Sequence, residues 1–272
     1  KLRDACESTG MFYLTGHGIS PEEMQKAFES SRHFFELPAE TKNALPCKKA
    51  GGFTRGYFSV GEESGSPTLF EAKEAFSYGY EWDPDLKPEN PLQGPNIWPD
   101  LPGFGYDWRQ PLQNIFTKKV QISEQLTDAM AIALGLEADS FSDLCKGGDT
   151  ISLMRMFHYL PLLSASASVK DSRLPQELIG SSPHTDWGWL TIILQDPTVT
   201  SLQLFDSKTK KWSDVPPIPG HLLVNIGDYV SLMTKSRFKS PLHRVKINDR
   251  ERYSFVFFYY TAFNATVPSL DE

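Results

Sequence analysis

The chain has 272 residues, 40% of them hydrophobic and 22% charged, with a formal net charge of −7. A chain of this size buries most of its surface on folding and needs no disulfide or structural metal, so a metal site in it would serve chemistry. The acidic balance, the lack of a Lys/Arg-rich stripe and the lack of a membrane-length apolar run argue against nucleic acid or membrane as partner and for a small molecule.

Leu2–Ser8 predicts a helix, and Met11-Phe12-Tyr13-Leu14-Thr15 a short strand closed by Gly16-His17-Gly18. Ser20-Pro21-Glu22-Glu23 is a helix start, with an N-cap, Pro at N1 and acid in the first turn. Met24, Ala27, Phe28, Ser31, Phe34 and Phe35 then share one face at helical spacing, and Leu37-Pro38 ends the helix. Residues 46–111 are rich in Gly, Pro and aromatics and predict long loops with short strands, Ala75–Tyr80 among them. An apolar stripe from Leu112 to Leu134 predicts a long helix stopped at Gly135.

From Ile151 onward the pattern changes to short β runs at 151–159, 189–195, 201–205, 222–226, 242–247 and 252–260. Short strands with regular turn signals predict a sandwich or barrel. The expectation is a mainly β fold with flanking helices in one domain, 1–272. Residues 1–150 would form a helical and loop part packed on a β core formed by 151–272. Cys6, Cys47 and Cys145 are odd in number and show no CxxC spacing, as expected of free thiols in a reducing, cytoplasmic compartment. The sequence opens at Lys1 without Met, so a targeting peptide ahead of it is not excluded.

Ser182-Pro183-His184-Thr185-Asp186-Trp187-Gly188 carries the first chemical signal. On an extended strand residues i and i+2 point the same way, so His184 and Asp186 present an imidazole and a carboxylate together. His243 opens a later β run, Pro241-Leu242-His243-Arg244-Val245. Two imidazoles and one carboxylate on one face of a metal, with other positions open, is the arrangement of non-haem iron(II) oxygenases. His-x-Asp alone arises easily by accident, and a lone His184 would read as a hydrogen-bonded structural histidine. Arg252-Tyr253-Ser254 adds the third element, because Arg252 and Ser254 also share a strand face and together form a carboxylate clamp.

On these residues the sequence resembles the 2-oxoglutarate- and iron(II)-dependent dioxygenases, in the branch that contains isopenicillin N synthase. The resemblance extends to Ala5–Ile19, Phe34-Phe35-Glu36-Leu37-Pro38, His184–Asp196, Leu223–Asp228 and His243-Arg244-Val245. It implies a double-stranded β-helix, or jelly roll, with Fe(II) held by His184, Asp186 and His243 and the distal carboxylate of 2-oxoglutarate held by Arg252 and Ser254. Arg155-Met156-Phe157-His158-Tyr159 falls where the family often has Arg-x-Asn-x-Tyr, so Tyr159 would add a hydrogen bond to that carboxylate. Phe157 departs from the pattern, leaving His158 or a water to replace the missing polar contact.

The implied reaction consumes O2 and 2-oxoglutarate, releases succinate and CO2, and oxidises a substrate C–H bond by hydroxylation, desaturation or ring closure. Asp186 fills the carboxylate position, which argues against halogenation. No catalytic group beyond the metal site is expected. Candidate pocket walls are Phe53, Arg55, Tyr57, Phe157, Trp187 and Tyr260, each of them also a plausible core residue. Arg55 would pair with an acidic group on the substrate, while Phe157 and Trp187 point to an apolar, cyclic or aromatic reacting part. The rival readings are an iron oxidase of the same fold that needs no 2-oxoglutarate and a jelly-roll binding protein without turnover. A hydrolytic zinc site fits poorly, since no general-base carboxylate accompanies the triad.

Overall fold

The computed structural model describes residues 1–50, 53–64, 68–168 and 177–270, the side chains of 48–50, 53–54 and 167–168 excepted. The helices are α1 (Leu2–Ser8), α2 (Pro21–Phe35), α3 (Ala39–Asn43), α4 (Tyr106–Leu134), α5 (Ser142–Cys145), α6 (Leu162–Ser168) and α7 (Asp228–Met233). The strands before α4 are β1 (Met11–Leu14), β2 (Cys47–Ala50), β3 (Phe53–Phe58), β4 (Leu69–Glu71) and β5 (Lys73–Gly79). After it come β6 (Leu153–Tyr159), β7 (Glu177–Ile179), β8 (Ser181–His184), β9 (Leu190–Gln195) and β10 (Leu202–Asp206). β11 (Lys211–Asp214), β12 (Leu222–Ile226), β13 (His243–Val245) and β14 (Arg252–Tyr259) complete the set.

Eight strands form one sheet in the order β1-β12-β9-β14-β6-β5-β3-β2, four form a second in the order β11-β10-β13-β8, and β4 pairs in parallel with β7. The first sheet is antiparallel throughout, and all six residues of β9 are buried, as a strand covered on both faces requires. Its inner face meets the four-stranded sheet across Phe58, Phe157, Tyr159, Ile193, Leu202, Leu223, Val245 and Val256. Its outer face packs on α2 and α4 through Phe28, Phe34, Ile115, Leu126, Ile192, Phe255 and Phe257. This is the jelly-roll architecture with flanking helices.

Local chemistry explains the helices. Ser20 and Glu23 make a reciprocal capping box at the start of α2, and all six residues expected on its apolar face are buried. Gly135 ends α4 with φ +88°, the left-handed conformation that glycine adopts without strain. α4 begins at Tyr106, six residues earlier than its apolar stripe predicts, and it carries Pro111 inside. Trp108 explains the extension: its Nε1 donates to Ser30 O at 2.8 Å and its ring packs against Phe104, which anchors the first turn on α2.

Two expectations need correction. Residues 46–111 hold four strands, and β2, β3 and β5 belong to the large sheet, so with β1 the N-terminal part is woven into the core and not merely packed on it. In the second half β7, β8 and β11 fall outside the predicted runs: β7 is only three residues long, β8 contains Pro183 and β11 is a largely exposed edge strand. Among the described residues no helix is long and apolar enough to cross a membrane, and all three cysteines are free.

Candidate metal centre and carboxylate clamp

His184 is the last residue of β8, and His243 the first of β13, directly opposite it in register. Asp186 follows in the turn that leads into β9. One ligand atom from each of the three lies within 4.8 Å of the others, a set able to hold a metal ion. His184 Nε2 is 3.4 Å and His243 Nε2 3.7 Å from Asp186 Oδ1.

Each imidazole is fixed by its other nitrogen. His184 Nδ1 lies 2.7 Å from Ser182 O, and His243 Nδ1 lies 3.0 Å from Pro241 O, so both donate to a carbonyl two residues back. A carbonyl only accepts, which assigns the proton to Nδ1 and leaves Nε2 as a lone pair aimed at the centre. Asp186 Oδ2 accepts from Asn225 Nδ2 at 2.6 Å. Burial alone would raise the Asp186 carboxyl, but His243, His184 and the Asn225 amide outweigh it and hold the carboxylate well below its usual range. Burial pulls His243 below the ordinary imidazole value, although Asp186 opposes it.

The backbone here is tightly bound. Gly188 has φ +89°, and a Cβ on it would lie 2.8 Å from the Tyr260 ring. A Cβ on Gly227 would lie 2.3 Å from Gly188 O. The Gly188 and Gly227 backbones therefore touch directly, and Asp228 N donates to Asp186 O at 2.9 Å.

The candidate clamp residues stand on the inner face of β14. Arg252 pairs with Tyr159 and Ser254 with Phe157 across β6, and alternation brings Arg252, Ser254, Tyr159 and Phe157 to the same cavity as the triad. That cavity has a volume of about 410 Å³, within the size range of small-molecule sites. Arg252 is 2% exposed, and its guanidinium carbon lies 4.8 Å from the centre of the Tyr159 ring. Among the described residues its one hydrogen bond is a long one, Nη2 to Gln195 Oε1 at 3.4 Å. Arg252 Nε and Nη1 and Ser254 Oγ are buried without a partner among the described residues. A buried guanidinium with two idle nitrogens beside an idle hydroxyl is costly unless an anion arrives, and a dicarboxylate fits that need.

The other sequence candidates divide. Phe157, Trp187 and Tyr260 line the cavity, with Trp187 exposed at its rim. Arg55 and Tyr57 do not: β3 pairs Tyr57 with Phe76, on the outer face of the sheet. There Arg55 Nη1 donates to Leu92 O at 2.8 Å and the Tyr57 hydroxyl donates to Glu74 Oε2 at 2.6 Å, so neither meets a ligand in the cavity. The side chain of Phe53 lies outside the described residues. His158 also faces outward, bonded to Glu74 and Glu251 and stacked on Tyr253, and supplies nothing to the cavity. Glu63, Glu71 and Lys73, which nothing in the sequence singles out, also line the cavity, together with Arg155 from the start of the Arg-x-Asn-x-Tyr-like run. Asn225 could have been found as the polar residue inside the apolar run Leu222–Ile226.

Residues 151–261 match the 2OG-Fe(II) oxygenase superfamily, and residues 1–101 the family described as non-haem dioxygenase in morphine synthesis N-terminal. The chain is 36% identical over 266 residues to a 2-oxoglutarate-dependent dioxygenase of Didymella fabae, a match spanning 95% of this chain and 77% of that protein. It is 34% identical over 272 residues to clavatol oxidase claD of Penicillium crustosum, spanning 95% of this chain and 78% of the relative. The crystal structure of JOX2 in complex with 2OG, Fe and JA superposes with a TM-score of 0.80 at 28% identity, over 99% of this chain and 73% of that one. The chain thus belongs to the 2OG-Fe(II) oxygenase superfamily and is an oxidoreductase that uses Fe(II) and 2-oxoglutarate on a small molecule.

Proposed function

We propose that His184, Asp186 and His243 hold the iron, that Arg252 and Ser254 hold the distal carboxylate of 2-oxoglutarate with Tyr159 beside them, and that the substrate enters past Trp187. The observation that carries this reading is the idle pair of donors, Arg252 and Ser254, on the same cavity as three convergent metal-ligand atoms. Fe(II) and 2-oxoglutarate, when bound, would let O2 act as the four-electron oxidant: one oxygen atom enters succinate as 2-oxoglutarate loses CO2, and the other serves to oxidise a substrate C–H bond. The protein's own part is positional. The Nδ1 bonds fix both imidazoles, Asn225 orients Asp186, and Arg252 and Ser254 set the co-substrate's far end.

Phe157, Val256, Phe258 and Tyr260 give the cavity apolar walls, which support a substrate whose reacting part is apolar and flat. Arg155 and Glu63, paired at 2.5 Å, add one polar wall, which supports a substrate with a polar head group. Residues 1–272 are read as one unit, supported by the shared sheet. Three free cysteines support a reducing compartment.

The test is anaerobic addition of Fe(II) and then 2-oxoglutarate to the metal-free protein. A weak visible charge-transfer band, absent from Arg252→Leu at the same keto acid concentration, is the expected result. Iron binding without a band would move the reading to an oxidase that does not use 2-oxoglutarate.

A further inference from the structure

β8 is an edge strand: among the described residues it pairs, within the four-stranded sheet, only with β13. It is also a poorly laddered one. Its register pairs are His243 with His184 and Val245 with Ser181, and the register shifts between them. The stretch that carries His184 therefore lacks a regular ladder where it most needs one. Its amide goes elsewhere, for Ser182 N donates to Glu71 Oε1 at 2.7 Å. Ser182 is gripped from both ends, because its carbonyl accepts from His184 Nδ1.

Glu71 is itself fixed. Its other oxygen is in close contact with Lys73 Nζ, which also lies 3.3 Å from Ser181 Oγ and 3.5 Å from Glu63 Oε2. Lys73 is 7% and Glu71 6% exposed, so this charge pair is buried in the wall of the cavity. Burial would raise the Glu71 carboxyl, but Lys73 and the Ser182 amide outweigh it and keep the carboxylate ionised. Lys73 sits on the inner face of β5 opposite Tyr159, so the pair spans from the large sheet to the strand that bears the metal ligand.

We propose that Glu71, braced by Lys73, is a positioning residue for the metal centre: it substitutes for the missing strand partner of Ser182 and so fixes His184. The proposal rests on the reading of His184 as an iron ligand. A buried charge bridge is an uncertain source of stability, since an apolar replacement of both partners is often neutral. Its use here is geometric, and outer partners of metal ligands typically tune metal affinity by about 10- to 100-fold.

The test measures Fe(II) affinity of the 272-residue chain anaerobically, by competition with a chromophoric chelator, beside the melting temperature and the 2-oxoglutarate affinity. The double variant Lys73→Met with Glu71→Leu leaves no stranded charge. It should melt within a few degrees of wild type and bind Fe(II) about 10-fold or more weakly. Glu71→Gln keeps an acceptor for Ser182 and should stay within about threefold of wild type. Glu71→Asp guards against a double variant that does not fold. It keeps the charge but draws the acceptor back by one methylene, and should lose several-fold in iron affinity.

Folded variants with unchanged iron affinity would overturn the proposal. So would a loss confined to 2-oxoglutarate affinity, which would make Lys73 a direct co-substrate contact. A wild-type chain that itself fails to bind Fe(II) would instead overturn the iron site.

Discussion

Lys73 and Glu74 are neighbours in sequence and face opposite sides of the same sheet, and the two sides treat buried polar groups differently. On the outer side Glu74 is saturated: it accepts from Lys42, Tyr57 and His158 at 2.6–2.8 Å, and Lys42 also donates to Phe35 O. On the inner side Arg252 and Ser254 keep donors without partners among the described residues, on the same cavity as three convergent metal-ligand atoms. Apart from the partly exposed His184 the residues of both clusters are buried, so burial alone does not mark function. The difference lies in completion: a cluster that serves the fold closes on itself, whereas a site that serves a ligand stays open toward it. Arg55 limits the rule, since two of its nitrogens lack partners among the described residues on the outer side.

The largest break in this comparison comes from Asp186→Ala. Removing the carboxylate leaves two imidazoles for the metal and strands Asn225. Product formation should fall by about 10³-fold or more, equivalent to at least ~4 kcal/mol of lost transition-state stabilisation. Iron content after desalting and product yield are the two measurements. Activity and iron both at wild-type level would remove the triad from the mechanism.

Arg252→Leu should come next, at roughly 100-fold in 2-oxoglutarate affinity, because truncating one partner of a buried charge contact costs about 2–5 kcal/mol. Iron affinity should hold, so the split between the two constants is the signature. Asn225→Ala is smaller. Asp186 keeps its imidazole neighbours but loses its amide donor, and Fe(II) affinity should drop by about 10-fold. A drop in melting temperature with no change in iron affinity would assign Asn225 to the outer kind of cluster, closed and structural.

How much of this was legible beforehand follows from the same two faces. That His184 would lie beside Asp186, and Arg252 beside Ser254, could be read because each pair uses i, i+2 spacing, which survives any uncertainty about which strand pairs with which, whereas His243 reaches them through the register of β13 against β8. Arg55 and Tyr57 could not be placed, because their facing depends on the register of β3 against β5, and a slip of one residue reverses it. β5 resisted in another way: Lys73-Glu74 reads as a solvated pair, yet every residue of that strand is buried. Charges taken inside with their partners erase the polar-out signal that sequence reading relies on. The role of Glu71 was out of reach, since its partner Ser182 is distant in sequence and nothing local announces the contact.

The mildest test concerns Lys119, which lies on the outer side and should leave the reaction untouched. Its Nζ is fully buried and donates to Ile192 O at 3.1 Å and Phe255 O at 3.0 Å, tying α4 to β9 and β14. Burial drives its pKa far below the ordinary lysine value. Between the folded and the unfolded pKa the unfolded chain therefore binds one proton more than the folded chain, and stability must rise with pH across that window. The slope from this group is about 1.4 kcal/mol per pH unit where the two states differ by a whole proton, and it ends near pH 10 as the unfolded lysine titrates. Lys119→Met removes that contribution and keeps the length of the chain. Denaturant melts of both proteins should diverge as pH is raised, with wild type gaining on the variant. Parallel curves would mean that Lys119 keeps its proton inside the fold, held charged by the two carbonyls. Either way, 2-oxoglutarate and iron affinities of the variant should match wild type, as expected of a group whose bonds are already closed.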